Sequence, residues 1–401
     1  MGKPAISQAN GHIGFANDSA YLFTGITRPD DGGATGYDTL PPHGLAKNAL
    51  TVGAVSSIVG GYAGSNSVAM STFSSFGPTD DGRIKPDVVG AGVNIYSTGS
   101  LFDSNYYTES GTSMASPNVC GSLNLLVQLH NRYAGTNQPM LSSTIRGLAI
   151  HTADDAGTTA GPDYRFGWGL VNVLKAARLM TNNFESGSIP FLKEVRLLNG
   201  GFIEFPVVAK GDEPLKITLC WTDPAGNPQP ITLDPTNRVL INDVDLRVIR
   251  NGVTNFPWVL NPASPASAAT TGDNNTDNAE QVAISNPVAN GVYTVRVTHK
   301  GTLKDDTSAT ADQWMSVFGS GIVPQAEPPL AIEEIAQAST NTVALLWAAN
   351  VGRTYQVQHR DLVDSGTWSP ATGEISATKT NVAVELPLSG SSRFYRLVRV
   401  R

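Results

Sequence analysis

The string Gly111-Thr112-Ser113-Met114-Ala115-Ser116-Pro117 constrains this chain more than any other. It runs directly into the apolar stretch Val119-Cys120-Gly121-Ser122-Leu123-Asn124-Leu125-Leu126-Val127. Together they read as a serine on a tight turn at the mouth of a buried helix over 117–133. Gly111 lets the backbone turn sharply and lets another carbonyl approach closely. Pro117 suits the first turn of a helix, where its missing N–H is not needed. The helix N-terminus brings unpaired N–H groups and partial positive charge to the Ser113 hydroxyl. That environment suits a nucleophile whose reaction builds an oxyanion. Taken alone, a Gly-Thr-Ser at a helix start is more often a simple helix cap.

Further strings separate these readings. The seven-residue string resembles the nucleophile motif of the subtilisin-like serine proteases (subtilases). Ser74-Ser75-Phe76-Gly77-Pro78, followed by Lys85-Pro86-Asp87, is similar to a segment that precedes the nucleophile in that family. Ala46–Ala54 resembles the core strand leading into it, and Gly167-Trp168-Gly169-Leu170-Val171-Asn172 the turn that opens the closing helix. The motifs follow the family's order across roughly residues 1–185. Two departures stand out: Gly90-Ala91-Gly92 replaces the usual Ala-Pro-Gly turn, and Asn118 replaces a common histidine.

The resemblance implies a triad in the chain order Asp, His, Ser. The family's H-G-T-H string is absent from this sequence, and no D-(S/T)-G string precedes Ser113. Of the six histidines, His12 and His43 lie in loops, His130 and His151 in helices after Ser113, and His299 and His359 in later regions. Ile6-Ser7-Gln8-Ala9-Asn10-Gly11 resembles the family string whose Asn donates to the oxyanion, which implies that role for Asn10. Asn-Gly is also an ordinary turn dipeptide. The expectation is a chain that starts within a protease domain, with the Asp and His upstream and the chain inactive alone.

Composition fits a folded, multidomain extracellular enzyme. The 401 residues suffice for two or three domains, and 40% hydrophobic against 15% charged residues can bury sizeable cores. A net charge of −7 argues against nucleic acid and anionic membrane partners, and no apolar run reaches membrane-spanning length. Cys120 falls on the helix's apolar stretch and Cys220 in a strand, so both read as buried free thiols.

The pattern changes near residue 185. Helical stretches (117–133, 141–152, 168–181) and strands (50–55, 84–89) give an α/β unit over 1–185. Beyond it, β-rich runs recur at 201–208, 215–221, 239–249, 281–284, 292–299 and 314–319, separated by turn residues, as in an antiparallel sandwich. Leu219-Cys220-Trp221-Thr222-Asp223, Ile241-Asn242-Asp243-Val244-Asp245-Leu246 and Gly291–Val297 resemble the jelly-roll domain that follows the catalytic domain in some bacterial subtilases. It is placed at 186–325. Residues 326–401 resemble a small fibronectin-like sandwich, in which Tyr355 and Val357 face inward while Gln356, Gln358 and Arg360 face out. Its tryptophans, Trp347 and Trp368, fit a core better than a polysaccharide-binding face.

Asp243 and Asp245 share a strand face, and Asp273-Asn274-Asn275-Thr276-Asp277-Asn278 with Glu280 forms an oxygen-rich loop with no lysine nearby in the sequence. Either the group is a structural calcium site or it is a solvated loop held by Asx turns. The catalysis implied needs no cofactor. The whole reads as a secreted serine endopeptidase acting on protein or peptide substrates through an acyl-enzyme on Ser113. The alternative is a non-catalytic scaffold, adhesive or polysaccharide-binding, built on a degenerate domain.

Overall fold

The computed structural model describes residues 37–134, 139–185, 192–229, 235–323, 330–349, 354–362, 365–377, 381–387 and 393–400. Asn10 and His12 lie outside them. The front region is α/β. Strands β1 (Val52–Val55) and β2 (Val88–Ala91) pair in parallel, Val52 opposite Val88. All of β1 and most of β2 are buried, which is why both read as continuous apolar runs without alternation. A hairpin of β3 (Ile95–Thr98) and β4 (Tyr106–Glu109) follows, then helices α1 (Thr112–Ala134), α2 (Ser142–Thr152) and α3 (Val173–Glu185).

Two sandwiches follow. In the first, β5 (Leu192–Leu197), β6 (Ile203–Val208), β7 (Leu215–Trp221), β8 (Val244–Arg250) and β9 (Val253–Asn255) come first. A short ribbon of β10 (Trp258–Val259) with β11 (Thr270–Thr271) separates them from β12 (Ala279–Ile284), β13 (Val292–His299) and β14 (Gln313–Ser320). One antiparallel sheet runs β12-β7-β14-β5 and the other β6-β13-β8-β9. Leu219, Val248, Val295 and Met315 are among the side chains that fill the space between them. The second sandwich holds β15 (Glu334–Ser339), β16 (Thr342–Ala348), β17 (Thr354–Arg360), β18 (Ser369–Pro370), β19 (Ile375–Ser376), β20 (Asn381–Pro387) and β21 (Phe394–Arg399). Its sheets are β15-β16-β20 and β17 flanked by β18, β19 and β21. Trp347, Tyr355 and Val357 are buried in its core, as the alternation predicts. Trp368 instead lies partly exposed, with the guanidinium groups of Arg360 and Arg396 4.5 and 4.6 Å from its ring centre.

Several sequence expectations are corrected. The helix expected at 117–133 begins at Thr112, so Pro117 sits inside it rather than at its start. Without an N–H, Pro117 cannot bond the Ser113 carbonyl four residues back, and its ring crowds that carbonyl, a local cost that the rest of the long helix outweighs. The strand expected at 84–89 occupies 88–91, because the Lys85-Pro86-Asp87 segment is committed to side-chain bonds described below. The strand expected at 239–249 starts at Val244, and the closing helix at Val173. Helix α1 is buried along one line only, at Thr112, Ala115, Val119 and Leu126. Its opposite side leaves Leu125 and Cys120 exposed, so only Cys220 is a buried thiol.

The change of pattern near residue 185 does not interrupt the core. Leu148, Ile150 and Trp168 belong to the same apolar cluster as Cys220, Ala279 and Phe318 of the first sandwich. Gly147 of α2 makes that closeness possible, since a Cβ there would stand 2.2 Å from the Phe318 ring. Polar contacts seal the same junction. Buried Asp223 accepts from Lys47 Nζ and from the N–H groups of Ile241 (2.9 Å) and Asn242 (2.8 Å). Asp277 accepts from Ile84 N at 2.8 Å, and His151 Nδ1 lies 2.8 Å from Thr218 Oγ1.

Candidate active site

Ser113 occupies the second position of α1 and is exposed. Among the described residues, no hydrogen-bond partner is held by its Oγ. The Gly111 carbonyl closes the first turn, accepting from Met114 N at 3.0 Å and Ala115 N at 3.3 Å. No acidic side chain stands in that first turn, so nothing on the helix itself neutralises its positive end.

The turn is held from below by β2. Gly111 N donates to Gly92 O at 2.7 Å, and Gly92 N donates to Val55 O at 3.0 Å. The helix passes close over this strand end. A Cβ on Gly90 would stand 2.7 Å from Val119 Cγ2, and one on Gly92 would stand 2.7 Å from Gly111 O and 2.8 Å from Ala54 Cβ. Gly90, which departs from the usual Ala, thus meets Val119 of α1 where a side chain would crowd it, while Gly92, the glycine this turn shares with the usual one, lets the Ser113 turn lie close on the sheet.

The other motifs build the support. Ser74 Oγ accepts from Ala54 N at 3.0 Å, and Gly77 N donates to Lys85 O and Tyr164 O at 2.9 Å each. Gly167 (φ +61°) and Gly169 (φ +117°) adopt left-handed backbone, and Cβ atoms there would fall 2.1 Å from the carbonyl oxygens of Pro86 and Asp154. Leu170 extends along β2 through Val89 N→Gly169 O (2.9 Å) and Val171 N→Val89 O (3.0 Å). Asn172 then caps α3, its Oδ1 accepting from Lys175 N at 2.9 Å.

Motif spacing alone did not reveal the charged centre of this support. Asp87 is fully buried and accepts from Thr51 N (2.7 Å), Lys85 Nζ (2.5 Å) and Arg146 Nε and Nη2 (3.1 and 2.9 Å). Burial opposes its charge, but Lys85 and Arg146 outweigh burial and hold the carboxyl below its ordinary value. Arg146 Nη1 also reaches Asn278 O of the first sandwich at 3.4 Å. The one sequence signal for it was a lone arginine in an otherwise apolar stretch of α2.

No described histidine is bonded to Ser113. His151 is fully buried; burial, followed by Lys216, holds its pKa well below the ordinary histidine value. Gln281 Nε2 donates to Thr218 Oγ1 at 3.0 Å, the same hydroxyl that His151 Nδ1 meets, while His151 Nε2 has no hydrogen-bond partner among the described residues. This is a structural histidine at a junction.

The acidic group read as a possible calcium site contains its own cations. Lys300 Nζ stands 2.9 Å from Asp245 and Asp273 and 3.3 Å from Asp243, and Arg247 pairs with Asp245 and Asp273. The absence of a neighbouring lysine in sequence is thus corrected by Lys300, which β13 leads into beside β8. Asp277 is directed elsewhere, bonding Ile84 N and Asn274 Nδ2. Glu280 is buried with one oxygen on Leu246 N at 2.6 Å, and burial raises its pKa well above the ordinary carboxylate value. Among the described residues, no group of three or more His, Cys, Asp or Glu is arranged to hold a metal.

Comparison with known proteins places this geometry in context. Residues 24–169 match the model of the subtilase family. The chain is similar to the serine protease AprX of Bacillus subtilis (strain 168), with 36% identity over 102 residues, covering 22% of this chain and 23% of AprX. It is also similar to the PII-type proteinase of Lactococcus lactis subsp. cremoris, with 47% identity over 83 residues, covering 20% of this chain and 4% of that proteinase. The matches thus span under a quarter of either relative's length. Among solved structures, that of the patellamide maturation protease PatA is 25% identical, with a TM-score of 0.29 over 37% of this chain and 48% of that one.

Proposed function

We propose, from the membership of residues 24–169 in the subtilase family, that Ser113 is the nucleophile of a secreted serine endopeptidase. The observation that carries this reading is the placement of Ser113. It is exposed on the first turn of α1, and two glycines fit that turn closely onto a parallel strand. Attack on a peptide carbonyl would leave the oxyanion near the helix N-terminus, where the Ser113 N–H and the Asn10 side chain would hold it. Ser113 has no histidine base beside it among the described residues, no D-(S/T)-G string precedes it, and no H-G-T-H string occurs in the sequence. A serine without its base retains only residual transition-state stabilisation, so the 401-residue chain by itself is inactive on this reading. An extracellular location is part of the proposal; no described helix is long and apolar enough to cross a membrane.

The test is fluorophosphonate labelling together with casein hydrolysis. The 401-residue chain should do neither. A polypeptide extended upstream to carry both missing strings should do both and lose both on Ser113→Ala. Hydrolysis by the 401-residue chain, abolished by Ser113→Ala, would overturn the absent base. An extended polypeptide that never labels would overturn the nucleophile and favour the non-catalytic scaffold.

A further inference from the structure

We propose that the β3–β4 hairpin is a docking ridge for an extended, apolar stretch of the peptide substrate, a proposal that rests on Ser113 being the nucleophile. All four residues of β4 and three of the four in β3 are exposed, although a two-stranded ribbon is barely stable in water without cover. Exposed aromatic rings stand on both of its faces. Tyr96 (69% exposed) stacks diagonally on Tyr106 with ring centres 5.6 Å apart, while Tyr107 points to the opposite face. At the tip, Leu101 is 82% and Phe102 62% exposed.

The tip is a formed loop. Gly99 N donates to Asn105 O at 2.7 Å, and Asn105 N donates to Phe102 O at 2.9 Å. Those bonds hold Leu101 and Phe102 outward in solvent. Exposed apolar patches of this kind mark interaction sites. The base of the hairpin fixes what it meets. Asn94 N donates to Ser110 Oγ at 2.8 Å, and Gly111 N donates to Gly92 O, so both strands are anchored beside the turn that carries Ser113. The hairpin thus springs from the nucleophile's own turn, and a chain held at Ser113 has the base of the ridge beside it. Among the described residues β4 pairs with β3 alone, which leaves its outer edge able to add an extended peptide as a further strand while the rings take its side chains.

The experiment measures fluorescence anisotropy of a short capped peptide carrying consecutive leucines, and of its serine-substituted counterpart, on the 401-residue chain. The leucine peptide should bind about tenfold more tightly (about 1.4 kcal/mol) than the serine peptide, to wild type and to Ser113→Ala alike. Leu101→Ser/Phe102→Ser, and separately Tyr107→Ser, should remove that difference while leaving the melting temperature unchanged. Equal affinity of the two peptides for wild type overturns the proposal, as does undiminished preference in both variants. Self-association of wild type that the tip variant abolishes assigns the ridge to a second copy and also overturns it. Failure of Ser113 to label in the upstream-extended polypeptide removes the substrate assignment while the peptide affinities stand as measured, so the two failures are distinct.

Discussion

Replacing Arg146 with methionine removes the guanidinium but keeps most of the apolar stem, and so isolates the charge at the centre of the site's support. Asp87 would retain Lys85 Nζ and Thr51 N on Oδ2 and lose both donors to Oδ1. That oxygen lies in a side chain with no solvent exposure, so water cannot take over. Breaking one partner from a buried pair costs about 3–5 kcal/mol, a large share of a typical total of about 5–15 kcal/mol. The comparison is Lys175→Met. Its pair with Asp154 places Lys175 58% exposed, where such contacts are worth at most about 1 kcal/mol. At about 2–4 °C per kcal/mol, Arg146→Met should lower the melting temperature by about 10 °C and Lys175→Met by no more than a few degrees. Acid should narrow the gap. The Asp87 carboxyl is depressed in the folded state, so the stability it contributes is present above its unfolded value of about 3.9 and is lost as pH falls through the lower folded value. Thermal melts followed by circular dichroism at neutral and acidic pH decide the matter. Equal small shifts for the two variants at neutral pH would refute the view that Arg146 holds the core beneath Ser113 by neutralising Asp87.

Other perturbations test the remaining contacts. Gly92→Ala should destabilise by about 1–3 kcal/mol, since its Cβ meets backbone and another Cβ rather than a yielding side-chain end; denaturant midpoints would show it, whereas Gly121→Ala, with open space, should be neutral or slightly stabilising. His151 is held neutral in the fold, so stability should fall by about 1.4 kcal/mol per pH unit below about 6.5, until the folded value is reached. His151→Gln should flatten that dependence in urea titrations, and an unchanged slope would remove His151 from the junction's acid response. Melting temperatures should match in millimolar calcium and in chelator, because Lys300 and Arg247 already occupy the acidic group. Lys300→Met should lose stability and regain part of it with calcium, and a calcium-stabilised wild type would contradict the assigned pairing.

The sequence by itself determined the elements whose signals are local. Glycine at the turn before Ser113, the uninterrupted apolar run of β1, and the alternation of Tyr355 and Val357 in β17 each follow from the geometry of a few adjacent residues. Gly167 and Gly169 were legible for the same reason, as backbone that only glycine adopts easily. Tertiary structure decided what depends on which distant groups meet. Asp87 and Arg146 are 59 residues apart, and Lys47 and Asp223 176 apart, so neither pair leaves a periodic trace. Lys300 reaches the acids on β8 only because β13 lies beside that strand, and the same pairing converts an apparent cation site into a set of internal ion pairs. The outer side of α1 shows the same limit. Apolar residues at helical spacing identify a helix, but whether Cys120 or Val119 is covered depends on which line of that helix rests on β2, and packing alone sets this.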